Sequence, residues 1–140
     1  MPYPELMLRP MREELTSVGF DQLMTADDVS NWPGKTAKSA LLVINSVCGC
    51  AAGMARPGVR HALEASAIKP DQLGTVFAGQ EAEATAAARG LFPQVPPSSP
   101  SMALFREGEL VFFLPRHRIE GRTAEDVAHE LSAAFEEHCQ

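Results

Sequence analysis

Two cysteines separated by one glycine, Cys48-Gly49-Cys50, are the residues whose type and spacing point to chemistry in this chain. A thiol reacts as its thiolate, and a cysteine at the amino end of a helix has its pKa lowered by unpaired backbone N–H groups and the helix dipole. Cys48 is placed for this, because an Ala-rich helical segment starts within or just after the pair. Cys50 is near enough to attack a mixed disulfide formed at Cys48, with Gly49 supplying the backbone freedom for so tight a closure. A disulfide between residues i and i+2 closes a smaller ring than Cys-x-x-Cys, and departures from relaxed geometry make the bond easier to reduce, so a labile, oxidising Cys48–Cys50 disulfide is expected. Two other readings stand beside this one: a pair of inert buried thiols, and a Cys-x-Cys metal-binding module. A closed zinc site takes four ligands, however, and no second Cys-x-Cys, Cys-x-x-Cys or His-x-x-x-His occurs, with His61, His117, His129 and His138 scattered along the chain. No metal site is therefore expected.

The elements that must position the pair follow from local pattern. Met1 to Pro10 holds three prolines and is expected to be irregular; Met11, Leu15 and Val18 then recur at helical spacing until Gly19. Phe20 to Met24 suits a short strand, and Thr25 caps a brief helix that ends before Pro33. Asn31 to Lys38 reads as a polar loop. Ala40 to Asn45 is a continuous apolar run of the kind buried on both faces of a parallel sheet, and Cys48 follows its carboxyl end. Ala51 to Ala67 predicts a helix kinked at Pro57. Thr75 to Ala78 predicts a second buried strand and Glu81 to Leu91 a second Ala-rich helix, completing a right-handed βαβ unit. After a stiff Pro-rich connector from Phe92 to Pro100, Met102–Phe105 and Leu110–Leu114 predict a hairpin extending the same sheet. Thr123 caps a last helix, with Asp126 at its third position and Val127, Leu131, Ala134 and Phe135 on one face.

The chain has 140 residues and 15.1 kDa, enough for one sizeable core, and neither a repeat nor a second core is visible. A single domain over 1–140 is expected, with 1–19 as an amino-terminal extension and helix. Twelve Lys and Arg against eighteen Asp and Glu give a net charge of -6 without a basic cluster, which argues against nucleic acid. No apolar stretch approaches the roughly 20 residues that span a bilayer, and Met1 to Glu14 lacks the apolar core of a signal peptide. Three cysteines cannot build a secreted disulfide framework. The expectation is a cytoplasmic protein that engages no membrane.

The order of strand, cysteines, Pro-containing helix, strand, helix, Ser-Pro, hairpin and final helix resembles the thioredoxin fold. That resemblance implies an α/β domain with a central mixed β-sheet flanked by helices, here with an extra N-terminal helix, and a cis proline beginning the strand beside the redox cysteines. Pro100 in Ser98-Ser99-Pro100-Ser101-Met102 matches that position. More specifically, Asn45-Ser-Val-Cys-Gly-Cys-Ala-Ala-Gly-Met-Ala-Arg-Pro57, Val76-Phe-Ala-Gly-Gln80, Pro97-Ser-Ser-Pro-Ser-Met-Ala103, Pro115-Arg-His117 and Ile119-Glu-Gly121 resemble the bacilliredoxins. The likeness extends from Pro10-Met-Arg12 to His138-Cys139. It implies a thiol-disulfide oxidoreductase that removes bacillithiol from client proteins carrying it as a mixed disulfide. Cys48 matches the attacking cysteine and Cys50 the resolving one; bacillithiol is then a thiol substrate, and no bound cofactor is implied. A general disulfide reductase or isomerase is the alternative activity. Ligands gather at strand carboxyl ends in open α/β sheets, which brings Pro115 to Arg118 toward the cysteines. Bacillithiol carries carboxylates that suit the planar fork of arginine, so Arg116 and Arg56 are candidate contacts, with Arg60 and Arg118 nearby. His117 on the same loop, Gly49, Pro100, and Ser99, whose backbone precedes the proline, complete the expected substrate-binding set. Cys139 has two readings, an incidental terminal thiol or a redox or homodimer-forming one.

Overall fold

A computed structural model describes residues 3–140. The first helix, α1 (Glu5–Thr16), begins earlier than its prolines suggest and contains Pro10. A proline inside a helix costs about 3 kcal/mol; here the buried face of Leu8, Arg12 and Leu15 holds the helix against the body of the protein. Arg12 alone donates to both Glu5 and Glu81 and lies over the Phe77 ring. A two-residue strand, β1 (Asp21–Gln22), is followed by α2 (Ala26–Ser30), which starts in a reciprocal capping box between Thr25 and Asp28. The polar stretch after it contains a 3₁₀ turn (Pro33–Lys35), and Trp32 is buried within it.

Strand β2 (Ser39–Asn45) is buried at every position, and the chain then passes the two cysteines into a π-helical turn, Ala51–Ala55, before α3 (Arg56–Ala65). Instead of kinking a continuous helix, Pro57 occupies the first turn of α3. There its missing N–H is tolerated, and the wider π turn ahead of it relieves the clash its ring would make inside an α-helix. Next come β3 (Gln72–Phe77), α4 (Ala82–Arg89), the hairpin of β4 (Ser101–Arg106) and β5 (Glu109–Leu114), a 3₁₀ turn (Arg116–Arg118), and α5 (Ala124–His138). Glu107 and Gly108, both at positive φ (51° and 85°), make the tight hairpin turn whose twist matches the flanking strands. Thr123 and Asp126 form the capping box expected at the start of α5.

The five strands form one mixed sheet in the order β1-β3-β2-β4-β5, with β3 parallel to β1 and β2, and β4 antiparallel to β2 and β5. The pleat divides β2 between two cores. Leu41 and Val43 face one layer with Leu15 of α1, Val59 and Leu63 of α3, and Val127, Leu131 and Phe135 of α5. Ala40, Leu42 and Ile44 face the other with Val29, Trp32, Ala84, Ala88 and Phe92. Helices α3 and α5 touch closely at Gly58, where an added Cβ would lie 2.6 Å from Val127 Cγ1. Among the described residues, no helix is long and apolar enough to cross a membrane.

Candidate active site

The central strand β2 ends at Asn45, and from there backbone hydrogen bonds carry the chain to the thiols. The Asn45 side-chain carbonyl accepts the Ser46 N–H at 2.8 Å, the Ser46 hydroxyl accepts the Cys48 N–H at 3.2 Å, and the Cys48 carbonyl accepts from Ala51 and Ala52 as the helix begins. Cys48 and Cys50 are both free and half-buried, with their sulfurs 2.7 Å apart, and Gly49 between them is exposed. Burial alone would push the Cys48 thiol up. Hydrogen bonds from the Cys50 thiol, the Ser46 hydroxyl and the Ala51 N–H, joined by the Arg116 charge, overcome this and hold Cys48 below the ordinary thiol value. Cys50 moves the opposite way: burial and the adjacent Cys48 sulfur push it up by more than Arg116 draws it down. The arrangement therefore separates one sulfur that ionises more readily than an ordinary thiol from one that ionises less readily.

The Ser99–Pro100 peptide bond is cis, as the resemblance to the thioredoxin fold implies, and it opens β4 beside β2. Arg116 joins this loop to the cysteines. Its backbone N–H donates to the Ser98 hydroxyl at 3.3 Å, its guanidinium donates to the Ser99 carbonyl at 3.3 Å and to Glu120 at 3.4 Å, and its side chain is 42% exposed. It is thus a cation open to solvent whose charge reaches both sulfurs. His117 is exposed on the same 3₁₀ turn.

Arg56 requires a correction. Expected as a ligand contact, it is 2% exposed, with its guanidinium donating to Glu14 at 2.9 Å, Asn45 at 2.9 Å and the Ser46 carbonyl at 2.7 Å. A group so enclosed presents no surface to a small thiol. Arg60 donates instead to the Glu14 carbonyl and the Ser17 hydroxyl, and Arg118 pairs with Glu130. Glu14, Asn45 and Ser46 escape a sequence reading because no charge pattern or periodicity marks them; only the fold brings α1 under the cysteine loop. Cys139 is buried and hydrogen-bonded with Ser39, and burial pushes its thiol up. Ser39 opens β2 whereas Asn45 closes it, so Cys139 and Cys48 lie at opposite ends of the strand, separated by about 20 Å of strand rise. A groove of 560 Å³ between α3 and α5, lined by His61 and His129 among others, contains neither Cys48 nor Cys50. Among the described residues, no three His, Cys, Asp or Glu side chains gather as a metal-ligand set.

Solved thioredoxins share this architecture. One from Fasciola hepatica superposes with a TM-score of 0.57 at 17% identity, over 85% of this chain and 99% of its own, and one from Malassezia sympodialis has a TM-score of 0.57 at 12% identity, over 87% and 92%. The chain has a thioredoxin fold. A family model described as disulphide isomerase matches residues 3–139. Among curated relatives, a bacilliredoxin of Koribacter versatilis is 51% identical over 98% of this chain and 94% of its own. A bacilliredoxin of Shouchella clausii is 50% identical over 100% and 98%, and one of Bacillus cereus 47% identical over 98% and 95%. The chain belongs to the bacilliredoxin family.

Proposed function

We propose that this protein removes bacillithiol from proteins that carry it as a mixed disulfide, using Cys48 to attack and Cys50 to resolve. The observation that carries the reading is the opposed character of two sulfurs 2.7 Å apart, with Cys48 lowered and Cys50 raised. The Cys48 thiolate attacks the bacillithiol sulfur of the mixed disulfide, the client's sulfur leaves as a thiolate and takes a proton, and bacillithiol is now bonded to Cys48. Cys50 then loses its proton and attacks the Cys48 sulfur, expelling bacillithiol as its thiolate and closing the Cys48–Cys50 disulfide. An external thiol reductant supplies the two electrons that reopen it. Transfer in this order uses the more ionised thiol first and keeps the protonated one in reserve.

Arg116 supports bacillithiol over an arbitrary disulfide partner. Its half-exposed guanidinium is tied to the cis-proline loop, and in this reading it meets a carboxylate on a thiol bonded to Cys48. Ser99, Pro100 and Gly49 line the approach, and His117 stands at its rim. The test is to incubate the Cys50→Ala protein with a bacillithiolated client and locate the adduct by peptide mass. The expected result is a long-lived bacillithiol adduct on Cys48; an adduct no longer-lived than in wild type counts against the dithiol route, and no adduct on Cys48 removes it as the attacking thiol.

A further inference from the structure

Side-chain hydrogen bonds tie the turn before Cys48 back to the amino-terminal helix. Asn45 donates its side-chain N–H to the Met11 carbonyl of α1 at 3.3 Å, and its side-chain oxygen accepts from both Ser46 N–H and Arg56. Arg56 also donates to the Ser46 carbonyl, while Glu14 of α1 holds its Nε. Both backbone polar groups of Ser46 are therefore fixed, and its hydroxyl stands against Cys48. We propose that Arg56, clamped by Glu14, is a positioning residue that holds the Asn45–Ser46 turn against Cys48 and so sets the reactivity of that thiol. A buried ion pair adds little net stability over an apolar side chain of the same volume. Bulk stability thus does not account for a guanidinium here, whereas its fork reaches three acceptors at once, which an ammonium does not match. The charged and titratable groups around the thiol pair are Arg116 and Glu120 from the turn after β5 and the two sulfurs themselves. Arg56 acts from behind them, through Ser46.

The inference rests on Cys48 being the attacking thiol, and its test needs no bacillithiol. Iodoacetamide alkylation of Cys48 in the reduced full-length protein, resolved by peptide mass, is followed against pH for wild type, Arg56→Lys, Glu14→Ala, Ser46→Ala and the Arg56→Lys/Ser46→Ala double variant. Arg56→Lys and Ser46→Ala should each raise the Cys48 midpoint by about one pH unit, the order of one hydrogen bond to a charged group. Glu14→Ala should shift it the same way by less. The double variant should match Ser46→Ala alone, because Arg56 works through that hydroxyl. A wild-type midpoint in Arg56→Lys, or two shifts that add in full, overturns the proposal; should Arg56→Lys not fold, an unmoved midpoint in Glu14→Ala overturns it. A wild-type Cys48 that titrates no lower than a free thiol overturns both this inference and the proposed attacking role. A low wild-type midpoint unmoved by the variants overturns the inference alone.

Discussion

At Cys48 a sulfur that burial would push up meets two side-chain hydrogen bonds, one backbone N–H and a nearby guanidinium, and the balance holds it below the ordinary thiol value. Among the described residues, Arg116 is the charge that draws that sulfur down, and it acts on Cys50 in the same direction. Replacing it with Gln should therefore raise both thiols, so that alkylation at each cysteine needs a more alkaline pH and the neutral-pH rate at Cys48 falls. Unchanged pH profiles at both cysteines would remove Arg116 from the electrostatics of the pair. If Arg116 also meets the carboxylates of bacillithiol, the same variant should lose any preference for a bacillithiolated client over one carrying a carboxylate-free thiol. The small ring closed by Cys48 and Cys50 gives a further expectation. A redox titration should place the couple above the roughly -300 mV below which structural disulfides lie, and a value under that limit would refute a labile disulfide.

The helices set where these sulfurs stand. Because α3 and α5 meet at Gly58, Gly58→Ala pushes a methyl group into Val127 and should cost about 1–3 kcal/mol in urea denaturation, despite the better helix propensity of alanine. A variant as stable as wild type would mean that the two helices separate freely. Much at this scale is legible in the sequence, because the signals are local. Thr25 with Asp28 and Thr123 with Asp126 cap helices through residues three apart, and the run from Ala40 to Asn45 declares a doubly buried strand. The beginning of α1 and the π turn before α3 are not, because each depends on distant contacts. Pro10 is tolerated where Arg12 reaches Glu81, and Pro57 opens a helix rather than bending one. Arg56 is misread for the same reason: its partner Glu14 lies 42 residues away, and nothing local separates a buried guanidinium from an exposed one. The cysteine pair is legible because a local motif specifies it, whereas the cis bond at Pro100 follows only from the resemblance to the thioredoxin fold, since an X-Pro bond is trans by default.

For the molecule as a whole, net charge and local charge differ in sign. The chain carries -6, with Glu125, Asp126, Glu130, Glu136 and Glu137 gathered on α5, yet the cation acting on both thiols is Arg116. Of the four arginines expected near the cysteines, Arg56 and Arg60 brace α1, Arg118 pairs with Glu130, and Arg116, paired with Glu120, is the one whose charge reaches both sulfurs. Burial of Cys139 at the other end of β2 removes it from direct exchange with Cys48 within one molecule, so the proposed cycle closes with two sulfurs. The most direct measurement is a single turnover of the reduced protein with excess bacillithiolated client and no added thiol, counting products by mass. The account predicts one client thiol freed, one bacillithiol released and one Cys48–Cys50 disulfide formed per molecule. Release of bacillithiol without that disulfide, or a disulfide that includes Cys139, would contradict it.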